Sequence, residues 1–559
     1  MVKSKNTKGF WIVGLLLILS IPSVFALIHR GFFPTHDFIY VARISEMFKS
    51  LSDGQFPVRW VSGFRYGDPT FNFYAPLPYY LGAFFHLLGV GFLDSSKMLF
   101  GLSFILSAFS MYLLGKELYG RVEGVLSSML YLYAPYRSID IYVRGTLNEA
   151  WAFVFFPLIF LFLIKLSKTQ SFRNTVLLGL SLAGLFYTHN IMTILFVPFF
   201  GFYAVYLLIN KKFDKKFMFG IFLSVLLGLG LGASFLIPAL FEKKFVQTTY
   251  LTSGYFNYIG HFVAVRQWFD SPWGYGASLW GSKDDLSFQL GVTQWILIFG
   301  AMILYCTKKV YLNKKHVIFL PVLLTILIFS LFLQHNKSTF IWQTLPILAY
   351  TQFPWRLLAV SVFFAALIGG YGMTLINNQK IKIALSSFFV VLLLLVNYKY
   401  FKPKEYYLDS VDEHYVGVSV LERDDKIPKD YLPIWVKNIK DEEMVAPILI
   451  SGKADISSFF KNSKSASFNV KAQTDSVIEI PLTYFPGWAT EIDGNEVQCN
   501  PTDLGLISIA VKAGEHSVSL EFKDTPIRVI GNLLTVACLF VIVTYPVAVK
   551  GRRPLSLSK

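Results

Sequence analysis

The chain has 559 residues, of which 54% are hydrophobic and only 15% charged, and its mean hydropathy is +0.51. Apolar runs of about 17 to 22 residues, the length that spans a bilayer, recur along most of it. This composition excludes a soluble globular protein, a disordered chain and a collagen. Two of the three cysteines, Cys306 and Cys538, lie inside apolar runs, which excludes a disulfide framework.

The net charge of +16 is unevenly distributed. Residues 399–526 hold 14 Lys and Arg against 21 Asp and Glu, whereas the remainder holds 37 against 14. Most of the positive charge lies in short loops between apolar runs, which is typical of cytoplasmic membrane loops. The basic balance therefore indicates a membrane bilayer as partner and no nucleic acid.

Twelve apolar runs are predicted to be transmembrane helices. The first, Phe10–Ile28, follows three lysines and is interpreted as an uncleaved span, a signal peptide cleaved at Ser23–Ala26 being the alternative. The others lie at 98–115, 122–137, 147–165, 174–189, 191–209, 217–238, 290–306, 317–334, 357–376, 381–398 and 527–547.

The segment Leu77–Leu93 decides the topology, because its 17 residues are at the short limit for a span. If it lies in the membrane surface, the inside loops hold 22 basic residues and three acidic ones; if it crosses, 19 of the 22 move outside. The positive-inside rule prefers the surface helix. It predicts a multi-pass plasma-membrane protein with both termini in the cytoplasm and 399–526 outside.

Residues 399–526 read as a small β-sandwich. Short runs rich in β-branched residues predict strands, and Asp493-Gly494 is a hairpin turn signal. The predicted strands are Val477–Ile480, Trp488–Ile492, Glu496–Cys499, Leu506–Val511 and Ser517–Phe522. The predicted domains are thus a transmembrane part, 1–398, the external sandwich, 399–526, and a final span with a basic tail, 527–559. The fold class is a mainly α polytopic membrane protein with a small β domain near its C-terminus.

Candidate functional residues lie in the external loops. The long loop 29–97 contains His36-Asp37 and Tyr66-Gly67-Asp68-Pro69, and its Asp37 is expected at the depth of lipid headgroups. A solvated loop aspartate is the alternative.

The second loop packs Asp140, Arg144 and Glu149 into ten residues. Glu149 opens a helix, so helix capping alone also explains it. Two further residues, His189 and Arg356, face the same side in this topology. The alternative for His189 is a simple polar turn, and the alternative for Arg356 is an interfacial anchor.

Familiar cofactor sites are absent from the sequence. Neither GxxxxGK[ST] nor GxGxxG occurs, and the nine histidines form neither HExxH nor HxH. No cofactor is required by the sequence. A divalent ion, Mg²⁺ or Mn²⁺, remains open, and Asp37 and Glu149 would be its ligands.

Five motifs carry a resemblance to a known family. They are His36-Asp37, Asp53-Gly-Gln-Phe-Pro-Val-Arg-Trp60, Phe71-Asn-Phe-Tyr-Ala-Pro-Leu-Pro-Tyr-Tyr80, Ala134-Pro-Tyr-Arg137 and Val143-Arg-Gly145 with Glu149. The region 30–370 resembles the bacterial and archaeal membrane proteins named after a 6-pyruvoyl-tetrahydropterin synthase-related domain. That name implies no synthase activity, because the soluble synthase needs a histidine zinc cluster. The C-terminal part, with Tyr484-Phe-Pro-Gly-Trp488, resembles the end of YfhO-type membrane proteins.

Both families resemble the C superfamily of glycosyltransferases. The resemblance implies a large first external loop with an acidic residue, matched by Asp37, and a surface-lying helix, matched by 77–93. Arg144-Gly145 and Asn148-Glu149 are similar to the second motif of oligosaccharyltransferase catalytic subunits, with shortened spacing and no aspartate before the asparagine.

The resemblance implies an inverting membrane glycosyltransferase. Its partners would be a polyprenyl-phosphate-linked sugar and a glycan or lipid acceptor on the outer face. Asp37 is expected as the base and Glu149 as its helper, with substrate contacts from His36, Asp68, Arg144, His189 and Arg356. The alternatives are a flippase or exporter of lipid-linked glycans, for which no polar path through the spans is visible, and a non-catalytic scaffold that binds glycans.

Overall fold

The computed structural model describes residues 4–308, 314–417, 431–437 and 444–551. Contacts divide the chain into two compact units, each assembled from three segments. The first unit comprises Met1–Tyr40, Val90–Ser224 and Leu251–Asp412. The second comprises Val41–Gly89, Val225–Tyr250 and Glu413–Lys559.

The first unit is helical. Its α-helices are α1 (Ser4–Val24), α5 (Phe92–Leu118), α6 (Arg121–Leu132), α7 (Pro135–Ser138), α8 (Leu147–Lys168), α9 (Phe172–Thr188), α10 (Asn190–Asn210), α13 (Val292–Lys308), α14 (Lys314–Gln334), α15 (Thr339–Thr344), α16 (Leu358–Thr374) and α17 (Gln379–Asn397). Helix α11 (Lys215–Leu231) begins in this unit and ends in the second.

A helix covers all or part of each of the twelve predicted spans, but not all of these helices are of spanning length. Within the described residues, seven helices are long and apolar enough to cross a membrane, or eight if one bent pair is a single span. Trp11–Leu27 and Val292–Lys308 are apolar but shorter. The total of twelve spans stays a prediction.

Helix α16 forms the centre of the first unit: 94% of its apolar window is buried, whereas the window in α17 is only 22% buried. Gly369 and Gly370 let α6 approach it, because a Cβ at 369 would meet Leu130 and one at 370 would meet Ser127. Small residues at such crossings allow helices to pack closely in a membrane.

The chain between α6 and α8 departs from the prediction. The span expected over 122–137 ends at Leu132, because Pro135 cannot donate the backbone hydrogen bond that would continue the helix. Helix α7 and a five-residue π-helix, Ile139–Val143, follow. Such π-helical turns are rare and are frequent at functional sites.

The second unit combines short helices, one long helix and the strands named below. Its helices are α2 (Tyr40–Ser52), α3 (Thr70–Phe73), α4 (Leu77–Leu87), α12 (Ala233–Phe241) and α18 (Pro526–Gly551). Helix α4 has 11 residues, too few to cross a bilayer. Its position in the membrane surface stays a prediction.

In the part of the chain that the structure describes, nine antiparallel strands form two sheets, which confirms the β region near the C-terminus. They are β1 (Ile448–Ser451), β2 (Ala454–Lys461), β3 (Ser465–Ala472), β4 (Ser476–Thr483), β5 (Trp488–Ile492), β6 (Asn495–Val497), β7 (Asn500–Pro501), β8 (Leu506–Val511) and β9 (Gly514–Phe522). One sheet has the order β1-β4-β8-β7 and the other β2-β3-β9-β5-β6.

The predicted hairpin joins β5 to β6. Ile492 pairs with Asn495, so the loop is Asp493-Gly494, and both residues have positive φ, 53° and 79°. Two positive φ angles define the turn that suits the twist of a two-residue hairpin.

The core between the sheets includes residues from outside the C-terminal segment. Trp60 and Phe73, from the long first loop, are buried with Phe485 and Trp488. The ring of Trp60 lies 5.6 Å from that of Trp488 in an edge-to-face arrangement, and Phe73 meets Phe485 at 6.2 Å. The motifs that carried two separate family resemblances therefore build one core.

The compact units do not follow the predicted domain boundaries. Segments 41–89 and 225–250, expected in the transmembrane part, belong with the sandwich, and 399–412 belongs with the helical unit. The predicted boundaries at 398 and 526 stay a prediction.

Candidate active site

The two loops predicted to be external, which contain Asp37 and Arg144, meet through their backbones. His36 N donates to Val143 O at 3.0 Å and Asp37 N donates to Arg144 O at 2.8 Å. Gly145 makes this approach possible, since its φ is +69° and a Cβ there would collide with Thr35 and the Asp37 carbonyl. The Asp37 side chain is half-buried, and its Oδ1 accepts from Ile39 N at 3.2 Å.

Beside this junction lies a buried ion cluster. Arg144 Nη1 donates to Asp140 Oδ1 at 2.5 Å and to Glu149 Oε2 at 2.9 Å. Glu149 Oε1 accepts from Tyr136 OH at 2.5 Å, and Arg356 Nε lies 3.7 Å from Glu149 Oε2. Buried charges require such pairing, because leaving either partner alone in the interior is costly. Both oxygens of Glu149 are therefore occupied.

Two stacked aromatic rings support the two arginines. Phe353 and Trp355 stack with centroids 4.9 Å apart. The Arg144 guanidinium carbon lies 4.6 Å from the Trp355 centroid, and that of Arg356 lies 5.0 Å from the Phe353 centroid. Desolvated cation–π contacts of this kind fix the guanidinium planes. Arg356 Nη1 also donates to Thr351 O and Gln352 Oε1, at 2.9 and 3.0 Å.

A third guanidinium lies in the same interior. Arg137 is fully buried, donates to Ser107 Oγ at 3.0 Å, and lies 4.0 Å from the Phe153 centroid. Its charge acts on Asp140 and on Glu149. The cluster therefore combines three guanidinium groups with two carboxyl groups.

The carboxyl group of Asp140 is fully buried. Burial, and then the neighbouring Glu149 charge, raise the pKa of Asp140, while Arg144 opposes the rise. Its Oδ2 is buried and has no hydrogen-bond partner in the described part of the chain. With both carboxyl groups ionised, these five side chains carry a net charge of +1.

The other predicted site residues are distributed differently. His189 caps α10: its Nδ1 accepts from Met192 N at 3.0 Å, and it is close enough to interact with the charge of Glu149. His36 is exposed, with Nε2 3.0 Å from Tyr275 O.

Asp68 belongs to the second compact unit. Its Oδ1 accepts from the backbone N of Thr70 at 2.9 Å and also from the Thr70 hydroxyl. Burial raises the pKa of Asp68 to about 6. These contacts give Asp68 a structural role within its own unit, and its predicted substrate contact remains untested.

The donor set fits a divalent cation poorly. Within the described residues no group of three or more His, Cys, Asp or Glu side chains is arranged to hold a metal. A cation at Glu149 would displace its contacts with Tyr136 and Arg144 and would lie beside two guanidinium charges. The suggested ion between Asp37 and Glu149 therefore has no support from the side chains there.

The structure adds residues that the sequence analysis did not assign to the site: Tyr136, Arg137, Asp140 and Trp355. The quoted motif Ala134-Pro-Tyr-Arg137 contained two of them, and Trp355 directly precedes the predicted site residue Arg356. An arginine inside a predicted apolar span was the available signal, because ionisable residues there are usually functional and paired.

Comparison with known families identifies the chain. The family described as "6-pyruvoyl-tetrahydropterin synthase related domain; membrane protein" matches residues 71–403, more than half of the chain. The chain belongs to this family. The match includes Arg137, Arg144, Glu149 and Arg356, so the ion cluster lies within the family region.

One curated relative is an uncharacterized protein of Lactococcus lactis subsp. cremoris (strain MG1363). It is 28% identical over 248 residues, which are 42% of this chain and 40% of the relative. The chain thus matches less than half of that protein.

Three solved structures align with about 70% of this chain. Mycobacterial arabinofuranosyltransferase AftD matches 70% of this chain and 27% of its own, with 11% identity and a TM-score of 0.45. The Archaeoglobus fulgidus oligosaccharyltransferase matches 71% of this chain and 56% of its own, with 14% identity and a TM-score of 0.37. ArnT from Cupriavidus metallidurans, bound to undecaprenyl phosphate, matches 72% of this chain and 90% of its own, with 11% identity and a TM-score of 0.32. Because all three TM-scores are below 0.5, the site is interpreted from its own residues.

Proposed function

We propose that this family member is an inverting membrane glycosyltransferase that takes a sugar from a polyprenyl-phosphate donor and transfers it to a glycan or lipid acceptor on the outer face of the plasma membrane. The single observation that carries the proposal is the buried cluster with more guanidinium than carboxylate charge, directly beside the backbone of Asp37.

The excess positive charge supports an anionic ligand. A net positive charge buried in a low-dielectric interior is unfavourable unless an anion compensates it. Arginine forks match phosphate oxygens in geometry as well as charge. Arg144 and Arg356 are 4% and 8% exposed, whereas Arg137 is fully enclosed, so Arg144 and Arg356 are the proposed phosphate contacts.

Asp37 is the proposed base because it is accessible. The acceptor hydroxyl must come within hydrogen-bond reach of the group that takes its proton. Asp140 and Glu149 are completely buried, whereas Asp37 is half-buried. In the transfer, the acceptor oxygen bonds to the anomeric carbon as the bond from that carbon to the phosphate oxygen breaks. Asp37 receives the hydroxyl proton, the phosphate leaves toward the arginines, and the configuration inverts.

Glu149 takes a positioning role in this proposal. Its Oε2 faces both Arg144 and Arg356, and its Oε1 is bound by Tyr136. It therefore sets the spacing of the two guanidinium groups that receive the phosphate.

The test is transfer from a radiolabelled polyprenyl-phosphate sugar by membranes that contain the full chain. Asp37→Asn removes the proton acceptor at constant size, and we expect turnover to fall about 10²- to 10⁴-fold while donor binding is retained. Asp270→Asn, in an exposed ion pair of another external loop, is the matched control and should retain wild-type activity.

Two outcomes contradict parts of the proposal. Wild-type turnover in Asp37→Asn removes this residue as the base. Absence of transfer by the wild-type chain across a panel of donors contradicts the transferase, and leaves the flippase and the non-catalytic glycan-binding scaffold as alternatives.

A further inference from the structure

A sharp break separates α11 from α12. The two helices are bent by 72° across Gly232, at the end of the run Gly228-Leu-Gly-Leu-Gly232. Glycine weakens a helix, but it does not by itself direct a bend, and the backbone groups released at a break must find other partners.

The side chain of Thr535, in α18, occupies the break. Its Oγ1 accepts from Ser234 N at 3.0 Å. The same hydroxyl donates to the carbonyl oxygens of Gly230 and Leu231, which lie 3.1 and 3.2 Å away. In a continuous helix Ser234 N would donate to Gly230 O directly. The threonine hydroxyl therefore replaces one backbone hydrogen bond, and inserted side chains of this kind kink helices.

Thr535 is part of one inward face of α18. Only 11% of the apolar window of this helix is buried, and the less exposed positions recur at Arg528, Gly531, Asn532, Thr535 and Cys538. A Cβ at Gly531 would lie 2.7 Å from Ala233 O, and one at Gly230 would collide with Cys538 Sγ. Glycines on both sides thus let the two backbones approach closely.

The same face holds the chain on the far side of the break. Arg528 Nε donates to Glu242 Oε2 at 3.0 Å, directly after α12 ends, and both side chains are buried. Asn532 Oδ1 accepts from Arg59 Nη2 at 2.9 Å, and Arg59 Nη1 donates to Ser234 O at 3.0 Å. Glu242 Oε2 in turn accepts from Asn72 of the first loop at 2.7 Å.

We propose that the α11–α12 break is a hinge, and that the inward face of α18 is the latch that holds it bent. Without the latch, Ser234 N donates to Gly230 O and the two helices join into one straighter helix. Straightening moves Glu242, and with it the contact to Asn72. The inference is independent of the proposed transferase activity.

The test is a distance between spin labels at residues 218 and 240, which are exposed positions on either side of the break. All variants share a full-length background with Cys306→Ser, Cys499→Ser and Cys538→Ala. The label sites are about 33 Å apart in a straight helix of 1.5 Å rise and about 27 Å apart with the bend. Thr535→Val keeps the shape and removes the hydroxyl.

We expect Thr535→Val to shift the ratio of long to short distances roughly tenfold toward the long one, as the loss of one or two hydrogen bonds predicts. Thr535→Ser restores the hydroxyl and the short distance. Thr544→Val is the matched control, because Thr544 lies on the same helix and its hydroxyl donates to Phe540 O, one turn earlier in that helix, at 2.8 Å.

If the valine variant fails to insert, Thr535→Ala repeats the measurement. Adding Arg528→Met to either variant should increase the long population further. A single short distance in both Thr535 variants and in the double variant would overturn the latch, since the glycines and Pro238 of α12 would then set the bend without it.

Discussion

Arg144 shows how much of the site depends on one side chain. Its Nη1 binds two carboxylates, its guanidinium plane lies on Trp355, and its backbone carbonyl accepts from Asp37. Burial lowers the pKa of Arg144, but Glu149, Tyr136 and Asp140 together raise it by more, so its net shift is upward and it stays charged at any working pH. A neutral replacement at this position would leave both carboxylates without their main partner.

Asp68 gives a pH prediction at the same scale. Its folded pKa of about 6 lies above the ordinary value of 3.8, so the unfolded chain loses this proton first and stability falls as the pH rises from about 4 through about 6. The shift corresponds to about 3 kcal/mol at neutral pH.

Thermal unfolding of the full chain in detergent, from pH 4 to pH 7.5, checks this. The side chain of Asp68→Asn cannot ionise, so the unfolding temperature of the variant should rise relative to that of wild type as the pH increases over that range. A difference that is constant with pH would show that Asp68 does not titrate near 6. Asp270→Asn, at a side chain that is 75% exposed, is the control.

At the scale of single residues, the sequence predicted Arg144, Glu149 and Arg356 as site residues, and the structure brings the three together. Their roles were harder to predict. Which oxygen faces which guanidinium depends on the π-helix and on the turn at Gly145, and neither has a period that a sequence pattern reveals. Asp68 and the ion cluster belong to different compact units.

At the scale of elements, the strands separate into those with a clear pattern and those without. The predicted strands 488–492 and 506–511 agree with the structure, because each alternates apolar residues beside a turn signal. Strands β1 to β3 were missed: β3 alternates serine, asparagine and lysine with its buried residues, and all four positions of β1 are exposed.

The sandwich core makes an element-scale prediction. Trp60 is fully buried against Phe485, Trp488 and Phe522, so Trp60→Ala should leave a cavity that destabilises the sandwich by about 3 to 5 kcal/mol. Phe56→Ala, in the same loop but 80% exposed, should have little effect.

The rate of limited proteolysis within strands β2 to β9 of the full chain measures the stability of the sandwich. We expect faster cleavage in Trp60→Ala than in wild type or Phe56→Ala. Equal rates for the three proteins would mean that the sandwich is stable without the loop tryptophan, as an independent 399–526 domain would be.

At the scale of the whole molecule, the distribution of charge carries the topology. The 22-to-3 excess of basic residues in the proposed inside loops comes from the sequence alone. The compact units were beyond sequence reasoning, because each joins three segments that are not continuous in the chain, and those of the second unit are more than a hundred residues apart.

The topology is testable with single cysteines in a background without native cysteines. Cysteines at the exposed positions 270 and 495 should react with a membrane-impermeant maleimide in intact cells. Those at the exposed positions 168 and 210 should react only after permeabilisation. Labelling of 210 but not of 495 in intact cells would show that the chain has the opposite orientation to the one predicted.

The shared core of Trp60 and Trp488 also has a consequence for synthesis. The ribosome makes Trp60 first and Trp488 428 residues later. At about 5 to 20 residues per second, roughly 20 to 90 seconds pass before the partner strands exist. During that time the apolar side of the first loop has no core to enter. The nascent chain is therefore open to aggregation and to proteases in that interval, and a slower ribosome should lower the yield of folded protein.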